Sequence, residues 1–176
     1  MKKTSVFILL IFHSLFITSY ARMNVLANYN EAKADIKTQL NALLTDYYGM
    51  KDALVATDGK TVQQKANDFL LTLAKVDMAQ MTQEQHDLYM QLVSKIKSET
   101  KAIANTQDAE QQRTHFNDLS NHLYTVLKTF KVNDSPVYQQ YCPMKKAYWL
   151  SNNSAIKNPY YGKMMLTCGK VTETLN

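Results

Sequence analysis

Apolar residues in this chain follow two rhythms. Near the N-terminus they crowd into one dense run, Val6 to Ile17. From about Asn28 to Phe130 they recur instead in steps of three and four. Ile36, Leu40, Leu43, Tyr47, Met50 and Leu54 make one row, and Val62, Ala66, Phe69, Leu73 and Val76 a second. Tyr89, Val93, Ile96 and Ile103 make a third, interrupted by Thr100 and widened by Leu88 and Leu92. Phe116, Leu119, Leu123, Val126 and Phe130 make the fourth. Such spacing gathers side chains on one face of a helix, and that face needs a partner to bury it.

Polar residues punctuate these rows where helices should begin. Asn28 with Glu31, Thr61 with Gln64, Thr82 with Gln85 and Asp108 with Gln111 each place a capping oxygen three residues before Glu or Gln. Asp58-Gly59 reads as the stop of the first helix. Connections of about four to seven residues force neighbouring helices antiparallel. The expected fold is all-α: an up-down four-helix bundle over about 28–130, inside a single domain running from 22 to 176.

Beyond Phe130 the composition changes. Residues 131–176 hold all three prolines, both cysteines, the one tryptophan, and Gly162 and Gly169. Asn133-Asp134-Ser135-Pro136, Asn152-Asn153 and Asn158-Pro159 are turn formers. The expectation is an irregular segment wrapped across the bundle, with a last helical turn at 170–174. Something must hold such a segment, because ordering an irregular chain costs about 1–2 kcal/mol per residue.

The N-terminal run follows Lys2 and Lys3 and precedes Ser19-Tyr20-Ala21. A basic start, a short apolar stretch and small residues read as a signal peptide over 1–21, with Val25-Leu26-Ala27 as a second cleavage candidate. The run falls short of the roughly 20 residues that a membrane-spanning helix needs. The expected product is therefore periplasmic or secreted, with no membrane insertion after cleavage. The net charge of +5 falls further when Lys2 and Lys3 leave, and the remaining basic residues are scattered. That pattern argues against a nucleic-acid partner.

No Gly-x-Ser-x-Gly elbow, phosphate loop or His-Glu-x-x-His is present, and glycine is scarce, so no enzyme is expected. Chemistry concentrates in the C-terminal segment. Cys142-Pro143-Met144 and Met165-Leu166-Thr167-Cys168 each set a thiol near a thioether, both soft donors. In an exported chain two cysteines also commonly pair. Closing the loop from 142 to 168 would contribute about 3.5 kcal/mol on the chain-entropy model, and the methionines would then be core fillers. The residues leave metal clamp and disulfide both open.

Other residues carry weaker signals. His115 and His122 flank the fourth row and could face the tail. His86 with Met90, and Met78 with Met81, could form a second soft site. Trp149, Tyr148, Tyr160 and Tyr161 either pack the tail onto the bundle or line an aromatic groove. Arg113 and Ser120, seven apart on one flank, are placed to hydrogen-bond tail carbonyls.

The ordered set Tyr141-Cys142-Pro143-Met144, Trp149-Leu150-Ser151, Asn158-Pro159-Tyr160-Tyr161-Gly162 and Met165-Leu166-Thr167-Cys168-Gly169 resembles an exported bacterial family of unknown function. The segment is similar to a module appended to periplasmic adaptor subunits of copper/silver efflux pumps. Arg113-x-x-Phe116-x-x-Leu119-Ser120 matches the same family's last long helix. The resemblance implies Cu(I) or Ag(I) handling outside the cytoplasm, with Cys142, Met144, Met165 and Cys168 as ligands and an efflux adaptor as possible partner. Related modules often carry histidine after Cys-Pro-Met, where Lys145 stands here.

Overall fold

A computed structural model describes residues 35–131 and 133–176. The expected signal peptide, both cleavage candidates and the expected Asn28 cap lie outside the described residues. Four helices are followed by a small sheet. Helix α1 covers 35–56, α2 Gly59–Leu73, α3 Gln83–Ala104 and α4 Ala109–Phe130. A single 3-10 turn, Met78–Gln80, interrupts the α2–α3 connection.

The apolar rows become the buried faces. Ile36, Leu40, Leu43, Tyr47, Met50 and Leu54 from α1 meet Val62, Ala66 and Phe69 from α2, Ile96 and Ile103 from α3, and Phe116, Leu119 and Leu123 from α4 in one core. Hydrogen bonds between helices fix their directions. Gln63, early in α2, donates to the carbonyl of Ala104 at the end of α3, 2.8 Å away. His115, early in α4, lies 2.8 Å from Glu99, late in α3. Thr72 near the end of α2 donates to Asp46 of α1 at 2.6 Å. Arg113 of α4 reaches the Leu54 carbonyl at the end of α1 at 3.0 Å. Helices adjacent in sequence, and α1 with α4, therefore run antiparallel.

Caps set the boundaries, with one departure from expectation. Thr82 and Gln85 form the reciprocal capping box at the start of α3, and Asp108 caps α4 through the Glu110 and Gln111 N–H groups. The cap of α2 is Asp58 rather than Thr61. Its carboxylate accepts from the Thr61 N–H at 3.0 Å and the Thr61 hydroxyl at 2.6 Å. Only Thr57 and Asp58 separate α1 from α2, with Thr57 in the left-handed region at φ 59°. This hairpin is tighter than the expected four residues because a left-handed residue followed at once by a cap reverses the chain in two positions. Gly59 opens α2 against the α3–α4 connection. A Cβ there would stand 1.9 Å from the Gln107 carbonyl oxygen, so only glycine allows the approach.

The C-terminal segment is irregular only in part, because it also forms strands, and the fold is mostly helical rather than all-α. Strands β1 (Val137–Cys142), β2 (Ala147–Ser151) and β3 (Lys170–Leu175) form an antiparallel sheet in the order β2-β1-β3. Residues 170–174, expected as a helical turn, are strand. Their Val171-Thr172-Glu173-Thr174 run is β-branched at alternate and adjacent positions, which suits a pleated ladder better than a helix.

Alternation along the strands divides the sheet into two faces. Gln140, Cys142, Ala147, Trp149 and Ser151 share one face, all buried. Loop 152–169 lies over it: Gln140 Nε2 donates to the Asn153 and Ser154 carbonyls at 2.9 and 3.2 Å. The opposite face turns Leu150 and Val137 to the helices. There the Leu150 N–H donates to the Tyr47 hydroxyl of α1 at 3.0 Å, and the Tyr148 N–H to Asn117 Oδ1 of α4 at 3.1 Å. Glu173 of β3 pairs with Lys128 of α4 at 3.0 Å and accepts from the Tyr124 hydroxyl. The result is a sheet with helices on one side and loop 152–169 on the other, the loop reaching round to the helices where Arg113 meets Pro159.

Candidate dithiol site

The two cysteines meet because of the sheet. Cys142 ends β1, and Tyr141 before it pairs with Lys170, the first residue of β3. One step further along that ladder sets Cys142 against Gly169 and leaves Cys168 on the diagonal. The sulfurs are 3.5 Å apart, and both cysteines are free. Gly169 makes this approach possible. At φ 151°, a Cβ on it would lie 2.8 Å from the Trp149 ring and 3.0 Å from the Tyr141 carbonyl oxygen.

Asn158, fully buried, ties the loop together. Its N–H donates to the Leu166 carbonyl at 2.8 Å, and its side-chain amide donates to the Cys168 carbonyl at 2.8 Å. Its Oδ1 accepts from the Tyr160 N–H at 2.8 Å. These bonds hold both ends of 158–168 and set where the Cys168 sulfur stands.

The thiols differ in environment. Cys142 is fully buried, whereas Cys168 is partly open to solvent. Burial pushes the Cys142 thiol up, but hydrogen bonds from the Lys145 N–H, the Cys168 thiol, the Asn158 amide and the Met144 N–H more than reverse this, leaving it below its ordinary value. The Lys145 nitrogen is 3.4 Å from the Cys142 sulfur. Cys168 is held above its ordinary value, first by its hydrogen bond to Cys142, then by burial and by the charge on Cys142. The first proton lost by the pair therefore leaves Cys142 as a thiolate with Cys168 as its donor.

The methionines flank this pair. Met144 lies in the β1–β2 turn, its backbone N–H toward the sulfurs and its side chain 65% exposed. Met165 is partly buried in the turn before Cys168, where its carbonyl accepts the Cys168 N–H at 3.0 Å. The structure thus brings Cys142 and Cys168 into contact and sets Met144 and Met165 on the adjoining turns. Among the described residues, no group of three His, Cys, Asp or Glu side chains could hold a metal ion.

Several weaker expectations resolve. His115 faces α3, not the tail: its ring nitrogen is engaged by Glu99. His86 is half-exposed beside Asp87, and Met78 and Met90 are exposed. Trp149 and Tyr160 are fully buried, edge to face at 6.0 Å, and so pack the tail rather than line an open groove. Arg113 does bind the tail, donating to the Pro159 carbonyl at 2.8 Å. Ser120 reaches it through Tyr47 and lies beside the Tyr160 hydroxyl. The Ser120 hydroxyl donates to the Phe116 carbonyl at 2.6 Å, so Tyr47 donates to Ser120 at 2.7 Å and accepts from the Leu150 N–H. Tyr47 reads in the sequence only as a core position, while Asn158, with Pro159, reads as shaping the turn that brings Met165 and Cys168 toward Cys142 and Met144. A tyrosine inside an otherwise aliphatic row was the one available signal for a polar role at Tyr47.

The fold and site define a helical domain with an appended small sheet that closes over a dithiol. The chain belongs to a family of proteins of unknown function, DUF3347, whose model matches residues 43–135. That match takes in most of α1, all of α2 to α4 and the entry to β1, and ends before the sheet and both cysteines. No curated protein and no solved structure matches the chain. No helix among the described residues is long and apolar enough to cross a membrane.

Proposed function

We propose that this protein binds Cu(I) or Ag(I) as cargo outside the cytoplasm, through Cys142 and Cys168 with thioethers from Met144 and Met165. The observation that carries the reading is the 3.5 Å separation of two unbonded sulfurs, one of them favoured as a thiolate. Two metal–thiolate bonds of about 2.3 Å at a tetrahedral angle would hold their sulfurs about 3.8 Å apart. The pair is thus near ligand spacing before any ion arrives. Backbone N–H groups facing Cys142 offset the charge of a thiolate-rich site. Soft sulfur favours Cu(I) or Ag(I) over the oxygen-seeking cations.

Thioethers are weak enough ligands to let an ion leave, which suits sequestration followed by hand-over, with a periplasmic efflux adaptor as the receiving partner. Reduced protein is expected to bind one Cu(I) in competition with a chromogenic chelator. Cys168→Ser should weaken binding more than about tenfold, a loss above 1.4 kcal/mol. Met144→Leu and Met165→Leu should each cost less. A Cys168→Ser protein that competes as well as the parent would end the ligand assignment.

The same separation supports a second reading, a disulfide-stapled interaction module that docks onto another exported protein and carries no metal. The sulfurs need approach by only about 1.5 Å to bond. A thiol count on protein taken from its native compartment separates the two: two reactive thiols favour the metal, none the staple.

A further inference from the structure

The pair is asymmetric in a way that neither a static clamp nor a static staple requires. Cys142 lies at the end of β1 with no exposed surface, while Cys168 sits partly open beside the exposed residues Leu166 and Thr167. Of the two cysteines, Cys168 alone offers surface to an incoming reagent. To reach Cys142 it must lift the β1–β2 turn or loop 152–169. We infer that Cys168 is a site of reversible S-thiolation by small disulfides such as oxidised glutathione, and that buried Cys142 resolves the adduct into a Cys142–Cys168 disulfide. The inference stands on exposure and distance and does not depend on the metal reading.

The chemistry is ordinary exchange. Cys168 passes its proton to the Cys142 thiolate as it attacks one sulfur of RSSR, the RS–SR bond breaks, and RS⁻ leaves and takes that proton from Cys142. The Cys142 thiolate, 3.5 Å from the Cys168 sulfur, then attacks that sulfur. The mixed disulfide breaks, the Cys142–Cys168 bond forms, and a second RS⁻ departs and takes from solvent the proton that Cys142 released on ionising. Two protein thiols are oxidised to one disulfide while one RSSR is reduced to two RSH. Reduced thiol reverses both steps.

Local anchoring makes the second step fast relative to the first. Asn158 holds the Cys168 carbonyl, and β3 begins two residues later, so the thiolated sulfur stays beside its resolving partner. Trp149, the one tryptophan of the chain, has its ring edge against Gly169 and so reports closure by fluorescence.

The test uses the full chain, reduced and metal-free, with oxidised glutathione as probe. Intact mass should show the parent losing two hydrogens with no lasting adduct, and reduced glutathione should restore it. Cys142→Ser should hold one glutathione on Cys168. Cys168→Ser should react at Cys142 at least about tenfold more slowly, as expected for a thiol shielded from solvent. Peptide mapping of the parent after brief alkylation should find Cys168 labelled first, a readout that needs no variant. Equal labelling of both cysteines, or a stable adduct on the parent, would overturn the inference. Because no metal is present, failure here leaves the metal reading standing, and failure to bind Cu(I) leaves this one.

Discussion

Two buried polar side chains do more than their neighbours to join helices to sheet. Tyr47 accepts from the Leu150 N–H and donates its own hydrogen bond to Ser120, so one hydroxyl satisfies an edge of β2 from within the helical core. Burial pushes its phenol well above the ordinary range, which keeps it a neutral donor at every accessible pH. Tyr47→Phe strands the Leu150 N–H and should cost about 1–3 kcal/mol in denaturant unfolding. Arg113 is nearly fully buried, with donors to the Pro159 and Leu54 carbonyls and the Thr57 hydroxyl, and a partner in Glu110. An ammonium cannot reproduce that planar fork, so Arg113→Lys should lose about 2–3 kcal/mol rather than rescue stability. Parent-like unfolding of either variant would show that the tail is held elsewhere. Arg113 was legible in the sequence as a tail anchor. The role of Ser120 was only half legible, because it meets the Tyr47 and Tyr160 side chains rather than tail carbonyls.

At the level of elements, the helices could be read and the strands could not. Each helix repeats its apolar signal over several turns, so Leu119 and Leu123 support what Phe116 suggests. Strand β2 is five residues long, and burial under the loop and against the helices leaves Ala147, Trp149, Leu150 and Ser151 all buried, which erases the polar alternation of a half-exposed strand. Strand β3 shows the reverse, four exposed residues in six, and its pairing with β1 depends on Gly169 and a bulge at Gln139/Gln140. Gly59→Ala tests the close approach of α2 to the α3–α4 connection. The added methyl has no room beside Gln107, and a loss of about 1–3 kcal/mol is expected. The bridge from β3 to α4 is tested by pH. The Tyr124 hydroxyl and then Lys128 hold the Glu173 carboxyl below its usual range. A depressed folded value means the contribution is present above the ordinary carboxylate value of about 4.3 and is lost as pH falls through the folded one. An NMR titration of Glu173 should give a midpoint below 4.3 by this reasoning, and a midpoint at or above it would remove the bridge.

Across the whole molecule, the helical part supplies a rigid floor, the sheet brings distant residues together, and the loop closes over them. Cys142 and Cys168 were legible as a pair by type alone. Their contact was not, because it follows from β1–β3 pairing in a segment that reads as loop from its prolines and asparagines. His115 is engaged elsewhere for the converse reason: helix periodicity placed it near the tail flank, but packing of α3 on α4 gave it to Glu99. The family match over 43–135 covers the floor and leaves the dithiol segment outside. Function therefore has to be tested on the sulfurs themselves. X-ray absorption at the copper edge of the one-to-one Cu(I) complex reads their role without a competing chelator. Sulfur as the only first-shell donor, with a thiolate lost in Cys142→Ser, is the predicted result. A shell dominated by nitrogen or oxygen, or no complex to measure, would contradict it.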